Sequence, residues 1–167
     1  MTGVQTCALP ISFDSAVQPT IKQFPASDLV VFITTQTYLT SGGCCIGGYH
    51  SYTGTQSYGQ YTFITNPTQV FSWDVSAMSH EVGEWLDDPT TGNSNSPCFY
   101  EVGDPLEGGQ PGHSYGQWNY TVNGVVYHLQ DLVTPDYFGA PAKTAAGKFW
   151  TFQGYKGFNK QVCVAGG

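Results

Sequence analysis

The chain has 167 residues, a formal net charge of −7 and no arginine, and only 10% of its residues are charged. That length suits one domain with a sizeable core. The acidic balance excludes the basic stripe that nucleic acid requires, and no apolar run is long enough to span a membrane.

Residues 1–11 resemble the translation of a sequencing-adapter oligonucleotide and are set aside. The remaining 12–167 read as one domain whose natural N-terminus, and any signal peptide with it, is missing. Its polar surface is built from Gly, Tyr, Thr, Ser, Asn and Gln rather than from charge, which reads as extracellular. Apart from Cys7 there are four cysteines: Cys44, Cys45, Cys98 and Cys163. In such a surface they suggest disulfides. Adjacent Cys44 and Cys45 are poor partners for each other, so Cys98 and Cys163 are their expected partners, in either order.

A short helix is expected around Ala16–Phe24, interrupted by Pro19. The β-branched run 28–35 predicts a strand buried on both faces. A glycine-rich turn at 41–48 leads to a strand over 47–52, and a third strand follows at 61–65, closed by Asn66-Pro67. Further on, Asn123-Gly124 between alternating β formers at 120–129 predicts a type I′ hairpin. Residues 106–119 are glycine-rich and irregular, and 148–152 read as a late strand. The fold class is therefore α/β: one domain, a mixed β-sheet packed by a helix, with a loop-rich C-terminal half carrying a hairpin.

The most informative stretch is Ser79-His80-Glu81-Val82-Gly83-Glu84-Trp85-Leu86-Asp87-Asp88-Pro89. At about 100° per residue, Glu84 lies roughly 40° from His80, and Glu81 roughly 100°. Val75, Met78, Val82, Trp85 and Leu86 cluster on the opposite side. The pattern predicts an amphipathic helix over about 75–87 with its apolar side on a core. Asp74 or Ser72 is expected to cap its start, and Pro89 ends it.

His80 and Glu84, one turn apart, could hold one metal ion, with Glu81 beside any water on that ion. This is the H-E-x-x-H arrangement with Glu84 in place of the second histidine. An ordinary acidic surface helix is the alternative. The four glutamates all fall between Glu81 and Glu107, and nothing basic lies between Lys22 and Lys143. Such a cluster repels itself unless a cation is present. A third ligand is expected from Glu101 or Asp104 in Glu101-Val102-Gly103-Asp104-Pro105, and His50 could also reach the site. His128, on the hairpin, could bind the substrate or a developing oxyanion. His113 reads as a surface residue.

Four groups of residues together resemble the exordium, or phosphate-induced-protein, family and its bacterial zincin-like relatives. They are Cys45 through His50, Ser79 through Glu84 with Asp88-Pro89, Glu101 through Asp104, and Asn123-Gly124. The similarity covers roughly residues 28–130. It implies a secreted protein with a metzincin-like fold, in which 12–167 is a zincin-like domain. It also implies one zinc per chain at His80, Glu84 and Asp104 or Glu101. The activity implied is a metallopeptidase with Glu81 as general base, acting on a peptide or a cell-wall polymer. Pro105 stands where relatives carry a cysteine. A non-catalytic cell-wall or carbohydrate-binding module is the alternative, with a structural or vestigial metal and with Tyr115, Trp118 and Tyr120 lining a groove.

Overall fold

The computed structural model describes residues 13–35, 39–40, 44–63, 74–90, 101–103, 117–130, 132–133, 135–138, 140–141, 143–148, 150–152 and 155–156. They form a small mixed α/β domain with two α-helices. In chain order these are α1 (Phe13–Ile21), β1 (Val30–Thr35), β2 (Leu39–Thr40), β3 (Cys44–Ile46), β4 (Gly48–Thr53), β5 (Gln56–Phe63), α2 (Ser76–Asp87), β6 (Gln117–Val122) and β7 (Val125–Gln130). A 3₁₀ turn (Pro135–Phe138) and a short ribbon, β8 (Thr151–Phe152) with β9 (Tyr155–Lys156), follow. Among the described residues no helix is long and apolar enough to cross a membrane. Asp104, His113, Tyr115, Cys98 and Cys163 lie outside the described residues, and so does the disulfide pairing.

The main sheet has the order β1-β5-β4. β1 runs parallel to β5, and β4 runs antiparallel to it. Because side chains alternate along a strand, each face can be read from the register. On one face Val30, Phe32, Tyr49 and Tyr58 pack with Phe13, Val17 and Ile21 of α1. Phe13 meets Phe32 edge-on at 5.7 Å between ring centres. The Asp14 carboxylate accepts hydrogen bonds from the hydroxyls of Tyr49 (2.6 Å) and Tyr58 (2.7 Å), which fastens the start of α1 to the sheet.

The other face carries Val31 and Ile33 of β1, Gly59 and Tyr61 of β5, and Gly48 and His50 of β4. α2 crosses this face over β4 and β5. The expected strand at 28–35 is present, but it is not buried on both faces. Among the described residues β1 is at the edge of the sheet, and Val31 and Ile33 are 37% and 58% exposed.

α2 ends where Pro89 requires. Its burial is not that of a simple amphipathic helix. The buried residues are Ser76, Ala77, His80 and Glu84, whereas Leu86 is 71% exposed. The polar side that carries His80 and Glu84 is turned inward. The reason is tertiary, since β4 brings a histidine that partners the buried carboxylates.

The start of α2 also differs from expectation. Val75 is the N-cap and makes no side-chain capping bond. Asp74, with φ 33°, accepts hydrogen bonds from the amides of Val75 and His128 and pairs its Oδ2 with His128 Nδ1 at 2.6 Å. Ser79 Oγ accepts from the Gln130 amide at 2.9 Å. Together they fasten the β6–β7 hairpin to α2. The hairpin turn has φ 51° at Asn123 and 79° at Gly124, the type I′ signature. Asp74→Ala is expected to cost about 1–3 kcal/mol, because it removes the acceptor of the part-buried His128 amide and the carboxylate paired with its ring. Chemical denaturation would measure this, and faster amide exchange at His128 and Gln130 would locate it.

Candidate metal centre

Three elements build the site. Strand alternation on β4 turns His50 toward α2, opposite Gly59. α2 supplies His80, Glu81 and Glu84. The Glu101–Gly103 turn supplies Glu101. Gly103 there has φ 94°, and its carbonyl lies 3.5 Å from Gln130 Nε2, which ties this turn to the end of β7.

His50 is the centre of the group. Its Nδ1 lies 3.2 Å from Glu84 Oε2 and 3.6 Å from Glu81 Oε2. Its Nε2 lies 3.1 Å from the Asp88 carbonyl oxygen and 3.4 Å from Glu101 Oε1. Glu84 is shared, because its Oε1 lies 2.9 Å from His80 Nε2. His50, His80 and Glu84 are all buried.

The Asp88 carbonyl can only accept a hydrogen bond, so Nε2 of His50 carries a hydrogen. A neutral ring then directs the lone pair of Nδ1 at two carboxylates. That is repulsive unless Nδ1 holds a proton or faces a cation. Without metal the proton wins. Burial alone would lower the His50 pKa, but hydrogen bonds to Glu81 and Glu84 and the nearby Glu101 charge raise it to about 10. Burial pushes Glu81 well above the ordinary carboxylate range. Burial acts on Glu84 in the same direction, but hydrogen bonds from His50 and His80 outweigh it and hold Glu84 below that range.

One ligand atom from each of His50, Glu81 and Glu84 lies within 4.8 Å of the others, so this group could hold a metal ion. Metal–ligand bonds of about 2.0–2.1 Å arranged tetrahedrally place neighbouring ligand atoms roughly 3.3–3.4 Å apart. The observed 3.2 and 3.6 Å fit that spacing. Around this trio, His80 orients Glu84, while Glu101 and the Asp88 carbonyl orient His50. Outer partners of this kind set the tautomer and geometry of metal ligands.

The residues singled out in the sequence therefore separate. His80, Glu81 and Glu84 come together on α2 as the spacing predicts, and Glu101 joins them at the far nitrogen of His50. His128 is occupied with Asp74 near the start of α2, seven residues before Glu81. His50 emerges as the hub. Its signal in the sequence is the Gly48-x-His50 alternation, which puts both residues on one face of β4.

Gly48 explains how α2 comes so close. A Cβ there would lie 3.1 Å from Glu81 Cγ, 3.2 Å from Glu81 Oε1 and 3.0 Å from the Gln60 carbonyl oxygen. Gly48→Ala is expected to displace Glu81, costing about 1–3 kcal/mol by overpacking and weakening metal binding. Parallel melts and metal titrations would show both effects, whereas an unchanged affinity would mean that Glu81 is not held by this contact.

Beside the site, Leu29, Val31, Gly59, Tyr61, Met78 and Val82 line a small hollow of about 10 Å³, and His50, Gln60 and Glu81 also border it. No protein-family model, curated protein or solved structure matches the chain.

Proposed function

We propose that the chain is a secreted metal-dependent hydrolase, a zinc peptidase being the form its site supports best. The observation that carries this reading is the convergence of His50, Glu81 and Glu84, with His50 and Glu84 buried and Glu81 half-buried beside a small hollow. His50, Glu81 and Glu84 would hold the ion, with His80 and Glu101 behind them. A bound zinc supplies Lewis-acid polarisation and a lowered water pKa.

The chain's own residues supply the rest. Glu84, pinned by two histidines, is a fixed anion. Glu81 has one oxygen toward His50 and the other over Gly48, beside the hollow. His128 anchors the hairpin in this reading. The oxygen-rich donor set neutralises more of the ion's charge than a histidine-rich set does, so slow turnover is expected. The metzincin-like arrangement, secretion and a peptide or cell-wall polymer substrate belong to the same proposal.

The test is hydrolysis of a mixed peptide library by chelated and zinc-reloaded protein, with Glu81→Gln alongside. Zinc-restored cleavage that falls to the chelated level in Glu81→Gln is expected. Cleavage that survives chelation, or zinc-loaded protein that cleaves nothing, overturns the reading. The second outcome would favour a secreted carbohydrate-binding module with a structural metal. Tyr120, 55% exposed on the hairpin, supports that alternative.

A further inference from the structure

We infer that Ser57 and Pro89 are positioning residues for the metal centre: they clamp the chain leaving α2 so that the Asp88 carbonyl holds Nε2–H of His50 and leaves Nδ1 to the ion. This rests on the metal-dependent reading above. Asp88 is tied at both ends. Its amide donates to the Glu84 carbonyl oxygen at 2.7 Å, in the helix turn that carries the Glu84 carboxylate. Its own carbonyl oxygen lies 3.1 Å from His50 Nε2. One residue therefore joins the backbone behind one ligand to the ring of another. A neutral imidazole has two tautomers, and the partner of one nitrogen decides what the other presents. A carbonyl can only accept, so it selects the form with hydrogen on Nε2 and a lone pair on Nδ1, the nitrogen that faces Glu81 and Glu84.

The carbonyl reaches the ring because the chain leaves the helix at Asp88, with φ −140° and ψ 80°. Pro89 disfavours the helical alternative for that residue. Ser57 then fixes the exit: its Oγ donates to the Pro89 carbonyl oxygen at 2.8 Å. Ser57 of β5 and His50 of β4 share the sheet face under α2, since Ser57 pairs with Tyr52 and His50 with Gly59. Both are buried. A hydroxyl and an imidazole on one sheet surface thus hold two successive carbonyls, those of Pro89 and Asp88. The Glu101 carboxylate, 3.4 Å from the same Nε2, favours the same tautomer, so loss of Ser57 weakens the site without abolishing it.

The test measures zinc affinity of the full chain, and the His50 ring N–H signal by NMR in protein with isotope-labelled histidine. Ser57→Ala is expected to bind zinc about tenfold more weakly, the low end of the range for outer partners of metal ligands. It should also lose the His50 Nε2–H signal to exchange with solvent. Ser57→Thr, which keeps the hydroxyl, should restore both. Pro89→Ala keeps the carbonyl that Ser57 bonds but frees Asp88, and should weaken zinc binding in the same direction. Gln18→Ala removes a hydrogen bond to Thr53 on the α1 side of the sheet, and should leave affinity and signal unchanged. Wild-type affinity and an intact signal in folded Ser57→Ala and Pro89→Ala overturn the inference and leave the metal reading standing. A loss that Gln18→Ala reproduces overturns it too, because the effect would then be one of general stability. Wild-type protein that takes up no zinc overturns both.

Discussion

Replacing His50 by alanine is expected to strip the protein of its metal. His50 Nδ1 faces both carboxylates that would share the ion, so its loss removes the only nitrogen in the trio. His80 Nε2 lies 2.9 Å from the other oxygen of Glu84, behind the trio. Loss of such an outer partner typically costs about 10–100-fold in metal affinity, and loss of a direct ligand costs more. The expected order is therefore His50→Ala, weakened beyond about 100-fold, then His80→Ala, weakened by about 10–100-fold. The H-E-x-x-E spacing alone gives the opposite order. Competition against a chromophoric chelator distinguishes the two, and metal retained by His50→Ala but lost by His80→Ala would restore His80 as the ligand. The metal-free variant should also be less stable, because Glu84 would stay buried with its main cation gone. Breaking a buried pair in this way costs about 3–5 kcal/mol. His50→Gln, which keeps a donor toward the carboxylates, should recover part of the stability but not the metal affinity.

What could be read in advance was local. The Asn123-Gly124 turn dictates its own hairpin, because both residues adopt positive φ. Pro89 stops α2 whatever lies around it, and the i,i+4 spacing of His80 and Glu84 is fixed by helix geometry. What could not be read was which side of α2 faces inward. Leu86 and Trp85 outweigh the polar residues in any periodicity argument, yet Leu86 is exposed and Glu84 is buried. The outcome turns on His50, 34 residues earlier, and His50 reaches Glu84 only because β4 pairs with β5 in a register that sets it opposite Gly59. Glu101 was visible as an acid near the site. Its position behind the imidazole, on the Nε2 side, depends on the turn at Gly103 docking against β7. Asp74 has the composition of a helix cap, but the arrival of His128 redirects its carboxylate.

The metal-free protein is expected to be most stable in mildly acidic solution and to lose stability toward alkaline pH, and metal should reverse that slope. The folded pKa of His50, about 10, lies above its unfolded value of 6.5. Its contribution is fully present below about pH 6.5 and is lost as pH rises through about 10. A shift of that size corresponds to roughly 4–5 kcal/mol. Glu84 belongs to the same ion pair, so the same energy is not counted twice. Its pKa is lowered, and on the acid side its contribution is lost as pH falls through the folded value. Asp74, held down by hydrogen bonds from His128 and Val75 that outweigh its burial, adds to the acid-side loss. Glu81 acts in the opposite sense to Glu84. Its raised pKa means that ionisation in the folded chain costs stability as pH climbs above the ordinary carboxylate value. His50 and Glu81 thus both make the metal-free protein weaker in base. An ion that takes the place of the proton on His50 and of the proton on Glu81 removes both penalties, and its binding must release those protons. Metal affinity should therefore rise with pH from about 6 to 9, and the gain in melting temperature on adding zinc should widen over the same interval. Melting curves with and without zinc at four pH values would measure this, with proton release followed in weakly buffered titrations. Metal-free stability that climbs steadily from pH 6.5 to 10 would mean that His50 is neutral in the folded chain, and the charge argument for the site would fail.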